Sequence, residues 1–312
     1  MTEPKAIDGV LVQWGDRLFY PGNRIVRPRS EPRLRPPGLA DRAAAVRARI
    51  AATVLRRAPQ VMVKVTGGGR GMKAIAAHFR YISKQGRLEI EDERGQTTQG
   101  RDAVRELVDE WRHGGSRIDD HSERREAYNL MLSMPRGTAD ASIVLRAARE
   151  FAQAELADHK YVMVLHDHQA NPHVHLSVRA ESRHGRRLNP RKADLQRWRE
   201  TFAEKLRGHG IDAEATRQAT RGATRAHPSL WQVKAGEDGR LLRPRGAARN
   251  GVTSAGRQSA LEAWSQIGRA LARSGDAGDR RLAEAIGRFT REGEVDRGAA
   301  RSPSGAAQGR PR

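Results

Sequence analysis

The chain has 312 residues, 37% of them hydrophobic, and carries 58 Lys and Arg against 37 Asp and Glu, a formal charge of +21. It has no cysteine, which excludes disulfide scaffolds, thiolate zinc sites and cysteine nucleophiles. No run approaches a membrane span and the N-terminus lacks an apolar signal stretch. The reading is therefore a cytoplasmic protein without membrane insertion, whose charge suits a polyanionic partner such as nucleic acid.

Residues 1–60 hold 12 basic against 5 acidic residues, and 228–312 hold 16 against 9. Three regions are expected: a basic Arg/Pro-rich extension at 1–60, a central domain at 61–227, and a basic region at 228–312, partly helical and then disordered. In the first, VLVQWGDRLFYPG (10–22) reads as a small hairpin turning at Gly15-Asp16. Residues 24–39 read as an extended or disordered Arg/Pro stretch, and 41–57 as an Ala/Arg-rich helix.

The central region opens with a β-branched strand, VMVKV (61–65), ending in the glycine run TGGGRG (66–71). That run lacks the Lys-Ser/Thr of a phosphate-binding P-loop and reads as a tight strand-to-helix turn near a ligand. A helix at 72–83 places Ile75, Phe79 and Ile82 on one face, and a helix at 101–113 aligns Val104, Leu107, Val108 and Trp111. A strand at 127–135, a helix at 140–156 and strands at 161–166 and 173–180 follow. The short connection between the last two makes them an antiparallel hairpin. Asn189-Pro190 reads as the cap and first turn of a helix to about Arg207. Residues 260–274 and 281–292 have helical spacing. The fold class is α+β: a central antiparallel sheet with helices packed on one side and partly disordered basic flanks.

Four of the 11 histidines fall in HDHQANPHVH (166–175). On a strand, His173 and His175 point to the same face, and His166 ends the neighbouring strand where it can meet them. Three imidazoles on one sheet face make a metal site that leaves positions open for substrate. His168 lies in the turn, where it either supports a neighbouring histidine of the cluster or is simply exposed. A nucleophile is the second requirement. Of the four tyrosines, Tyr128 and Tyr161 start strands, where aromatics pack, and Tyr20 lies in the N-terminal extension. Tyr81 follows the glycine-rich turn among Lys73, Arg80, Lys84 and Arg87, a basic setting that suits a phosphate. A phenol is a weak nucleophile at its free pKa of ~10 and needs activation by a base or metal.

Four stretches in order, 63–91, NLMLSMPRGT (129–138), HDHQANPHVHL (166–176) and DAEATRQATRG (212–222), resemble plasmid-mobilisation relaxases of the His-hydrophobic-His endonuclease superfamily. Within that superfamily they resemble the branch that includes the border nuclease of plant transfer DNA. The resemblance covers about residues 61–225. It implies that His166, His173 and His175 are metal ligands, with Mg or Mn as the ion, and that Tyr81 is the nucleophile. It also implies site- and strand-specific nicking and joining of single-stranded DNA at a transfer origin through a 5′-phosphotyrosyl intermediate. Accessory origin-binding and coupling proteins would be partners. The family's metal motif carries Asp where this chain has His168; either His168 substitutes, or another acid such as Glu126 approaches in space. Arg70, Lys73, Arg80, Lys84, Arg191, Lys192 and Arg221 are candidate contacts to the DNA backbone. Three other readings share parts of the pattern: a replication initiator or transposase with the same chemistry, a metal-dependent hydrolase, and a non-catalytic basic DNA-binding module.

Overall fold

The computed structural model describes residues 4–19, 38–168, 171–222, 239 and 254–301. The chain divides into two compact units, Ala58–Ala215 and a second made of Met1–Arg57 with Thr216–Arg312. Of the Arg/Pro stretch expected at 24–39, residues 24–37 lie outside the described residues, as do the last eleven residues of the sequence.

The second unit is helical: α1 (Pro4–Phe19), α2 (Leu39–Val54), α7 (Ser254–Ala272) and α8 (Ala277–Arg301). Ile7, Leu11 and Leu18 recur at helical spacing and share one core with Val46, Ile50, Trp264, Ile267, Ile286 and Phe289. The hairpin expected at 10–22 is therefore a helix up to Phe19. Gly15 is not a turn residue: a Cβ there would lie 2.7 Å from both Val46 γ-carbons, so the glycine lets α1 and α2 approach.

The first unit carries a six-stranded antiparallel sheet in the order β1-β4-β6-β5-β2-β3. The strands are β1 (Met62–Gly69), β2 (Ile90–Asp92), β3 (Thr97–Thr98), β4 (Ala127–Ser133), β5 (His159–His166) and β6 (His173–Ser182). Its helices are α3 (Met72–Ile82), α4 (Arg101–His113), α5 (Ala141–Leu156) and α6 (Lys192–Gly208). They cover both sheet faces rather than one, because β5 is apolar at both parities. Tyr161 and Met163 join Phe151, Trp198 and Phe202 of α5 and α6. Val162 and Val164 join Ile75, Phe79 and Trp111 of α3 and α4. Helix α6 begins two residues later than its Asn-Pro signal suggests. Its cap is Arg191, whose backbone N–H donates to Asp194 Oδ2 at 2.8 Å.

Candidate active site

Register fixes the site. His166 lies opposite His173 across β5–β6, and His173 lies opposite Ser133 of β4. In the next row Val164, His175, Met131 and Lys64 are aligned across β5, β6, β4 and β1. Residues directly opposite share a face, so all three histidines lie on the face that carries α3 and α4. Their ring centroids are 4.5–5.0 Å apart, and one ligand nitrogen from each lies within 4.8 Å of the others.

Hydrogen bonds select the free nitrogens. His166 Nε2 is 2.7 Å from the Ile82 carbonyl and His173 Nδ1 is 2.9 Å from the Asn171 carbonyl. A carbonyl only accepts, so these nitrogens carry the protons, leaving lone pairs on His166 Nδ1 and His173 Nε2. Metal-binding histidines commonly hold their second nitrogen in this way. Nδ1 of His166 and Nδ1 of His175 are buried without a hydrogen-bond partner among the described residues. Burial pushes His175 down to about 3 and lowers His166, keeping both neutral, the form that binds metal. The donor set thus fits a metal ion.

Helix α3 brings Tyr81 to the same place. Phe79 packs edge-on against Trp111 at 4.8 Å and anchors α3 to α4. The buried side of α3 is Ile75, Phe79 and Ile82, which leaves Tyr81 69% exposed. Its ring centroid lies 6.5 Å from that of His175. The Ile82 carbonyl that holds His166 belongs to the residue after Tyr81, so the imidazole and the phenol are tied through one peptide. Tyr128 and Tyr161 do not join this site. Tyr161 is buried against α5 and α6, and Tyr128 lies opposite Val178, on the same opposite face. Tyr20 lies outside the described residues.

His168 is exposed, with its ring 5.2 Å from that of His166. Glu126 does not approach. It immediately precedes β4, seven residues from Ser133 of the His173 row, about 23 Å along the strand. Its carboxylate accepts from Ser122, Arg124 and Arg187. No carboxylate joins the three histidines among the described residues.

The basic candidates separate. Arg80 and Lys84 are exposed beside Tyr81 in sequence, and Lys84 acts on His166 electrostatically. Lys73 starts α3, about 12 Å of helix from Tyr81, with Arg70 before it. Arg191 and Lys192 open α6, whose buried residues pack on the opposite face of the sheet. Arg221 belongs to the helical unit, where its Nε donates to the Thr216 carbonyl at 3.1 Å. Sequence reasoning missed His78, one turn before Tyr81 on α3. Its ring stacks on Tyr81 at 6.3 Å and meets His175 edge-on at 6.4 Å, and its Nε2 is buried without a partner among the described residues. The i, i+3 spacing from Tyr81 was the available signal.

An antiparallel α+β sheet with His173 and His175 flanking Val174 on the edge of a three-histidine cluster is compatible with the His-hydrophobic-His class. Residues 81–211 match the family described as "Relaxase: MobA/VirD2-like, nuclease domain". The T-DNA border endonuclease VirD2 of Rhizobium radiobacter is 26% identical over 183 residues, 52% of this chain and 43% of that protein. VirD2 of Agrobacterium fabrum (strain C58) is 25% identical over 185 residues, 53% of this chain and 41% of the relative. The chain spans less than half the length of these curated relatives. Together these matches support a relaxase of the VirD2 branch.

Proposed function

We propose that the chain nicks and rejoins one DNA strand at a transfer origin and so initiates mobilisation. The observation that carries this reading is the exposed Tyr81 hydroxyl-bearing ring held against a three-histidine cluster. Tyr81 Oη attacks a backbone phosphorus: the P–O(Tyr) bond forms, the P–O3′ bond breaks, the phenolic proton passes to solvent and the departing 3′ oxygen takes a proton from solvent to become the 3′-hydroxyl. The 5′-phosphotyrosyl product keeps the bond's energy, so a later 3′-hydroxyl reverses the step without ATP. His166, His173 and His175 would hold a divalent ion. When bound, that ion supplies Lewis-acid polarisation of a non-bridging phosphate oxygen. Three imidazoles suit a first-row transition ion better than Mg, which prefers oxygen, so of the two ions expected Mn is favoured. Arg80 and Lys84, beside the phenol, hold the phosphate charge. His168, next to His166, stands where the family carries a carboxylate.

The substrate must be unpaired, because one phosphate has to be threaded between the phenol and the sheet. Origin-binding and coupling proteins and a cytoplasmic setting belong to the same reading. The test is incubation of the full chain with single-stranded fragments of its own element and Mn. The expected result is an SDS-resistant protein–DNA adduct, abolished by chelation and by Tyr81→Phe. Cleavage without an adduct would instead identify a hydrolase, and binding without cleavage a binding module.

A further inference from the structure

The fold explains only part of the glycine run. A Cβ at Gly68 would meet the Ala127 carbonyl oxygen at 2.3 Å, and one at Gly69 would meet Ile75 Cγ1 at 2.5 Å. Gly71 has a φ of +90° against the Asp120 carbonyl. Gly67 has none of these reasons. A Cβ there meets nothing nearer than Asn129 Nδ2 at 3.9 Å, and its φ lies outside the left-handed region. Gly67 follows the register shift of β1 against β4 at Val65/Gly67, which turns it to the face of Lys64, but with its φ outside the left-handed region and open space around it the bulge does not require glycine, and a glycine there points to close approach by another molecule.

Its surroundings say which molecule. Gly67 lies opposite Asn129, which lies opposite Ser177. The adjacent row on the same face is Lys64, Met131 and His175. Helices α3 and α4 bury Val162 and Val164 on this face but leave Lys64 exposed and Met131 and Asn129 half-buried. Ser177 Oγ donates to Asn129 Oδ1 at 3.0 Å, which leaves the Asn129 amide nitrogen on the Gly67 side. Lys64 joins no ion pair among the described residues. Bare backbone, a thioether, an amide donor and a cation thus form a floor that begins one strand from His175. Lys64 lies two strands away from it, about 10 Å.

We propose that this floor seats the nucleotide next to the scissile phosphate, an inference that rests on the proposed function. The base lies flat on Gly67 and Met131, the Asn129 amide donates to it, and Lys64 holds the neighbouring phosphate. The occupant is single-stranded DNA: a paired strand keeps its bases in the stack, whereas an unpaired base offers a flat face.

The experiment uses the full chain and a short labelled single strand of mixed sequence, with affinity measured as salt is raised. Salt weakens the counterion-release contribution of the basic residues elsewhere and spares an apolar contact. Gly67→Val fits the open space and the strand, so thermal stability should hold or rise and Mn binding should be unchanged. Affinity at raised salt should fall about ten-fold. Lys64→Gln should reduce the salt slope by about one. Wild-type affinity in Gly67→Val, or a lowered melting temperature that assigns the glycine to folding, overturns the proposal. So does an unchanged salt slope in Lys64→Gln. Failure of the wild type to form an adduct while these binding effects persist would reject the proposed function alone.

Discussion

The His166 ring sits among the other histidines with Nε2 donating to the Ile82 carbonyl and Nδ1 left buried without a partner among the described residues. Its position next to a strand end, and the HxH spacing of His173 and His175, were readable because strand side chains alternate with period two. The tautomers were not readable, since they depend on carbonyls of Ile82 and Asn171 that only the folded chain supplies. Two predictions belong at this scale. His175→Ala should lower Mn affinity and nicking by at least about 100-fold, read by calorimetry and an oligonucleotide assay. Tyr81→Phe, at an exposed position, should change stability by less than ~0.5 kcal/mol in urea unfolding. The metal-free protein should also be acid-sensitive. Burial pushes His78 down to about 4 and His175 to about 3, whereas unfolded chains take up those protons near pH 6.5. The stability these residues contribute is complete above pH 6.5 and is lost as pH falls toward 4 and 3. Urea midpoints across that range check it; a flat profile contradicts it.

At the scale of elements, α3 is the part that aims the phenol. Its apolar positions Ile75, Phe79 and Ile82 were legible from spacing, as were α4, α5 and the β5–β6 hairpin. The second helical layer was signalled less directly. The run YVMVL is apolar at both parities, which a sheet covered on both faces requires. Helix α1 was misread because Gly15 looks like a turn in isolation; only its contact with Val46, distant in sequence, shows the real reason for it. Strands β2 and β3 span three and two residues, too short to leave a pattern. The turn into α3 gives a prediction. Gly71→Ala forces an L side chain to a φ of +90° against the Asp120 carbonyl, and should cost more than ~1 kcal/mol with loss of nicking. The companion Gly95→Ala, also at positive φ but in open space and away from the site, should leave nicking intact.

At the scale of the whole molecule, the charged flanks conceal a folded body. Composition made 1–60 and 228–312 look like separate basic regions, whereas α1, α2, α7 and α8 share one core. Arg47 adds an ionic tie that no local pattern reveals, pairing Asp8 at 2.8 Å and Asp279 at 2.7 Å. Asp279 is 5% exposed, so Arg47→Ala should destabilise the helical unit by about 1–3 kcal/mol. The three histidines and Tyr81 all lie within Ala58–Ala215. That fragment is expected to keep Tyr81-dependent adduct formation while losing affinity that the basic residues outside it add. An inactive but folded fragment would show that the second unit takes part in the chemistry.

The most direct measurement is to digest the covalent adduct with trypsin and locate the nucleotide by mass spectrometry. Cleavage after Arg80 and Lys84 isolates the peptide Tyr-Ile-Ser-Lys, with one tyrosine. The account predicts a phosphonucleotide on Tyr81 in that peptide, formed only with metal. A nucleotide on Tyr20 or any other residue, with 81–84 unmodified, would contradict it.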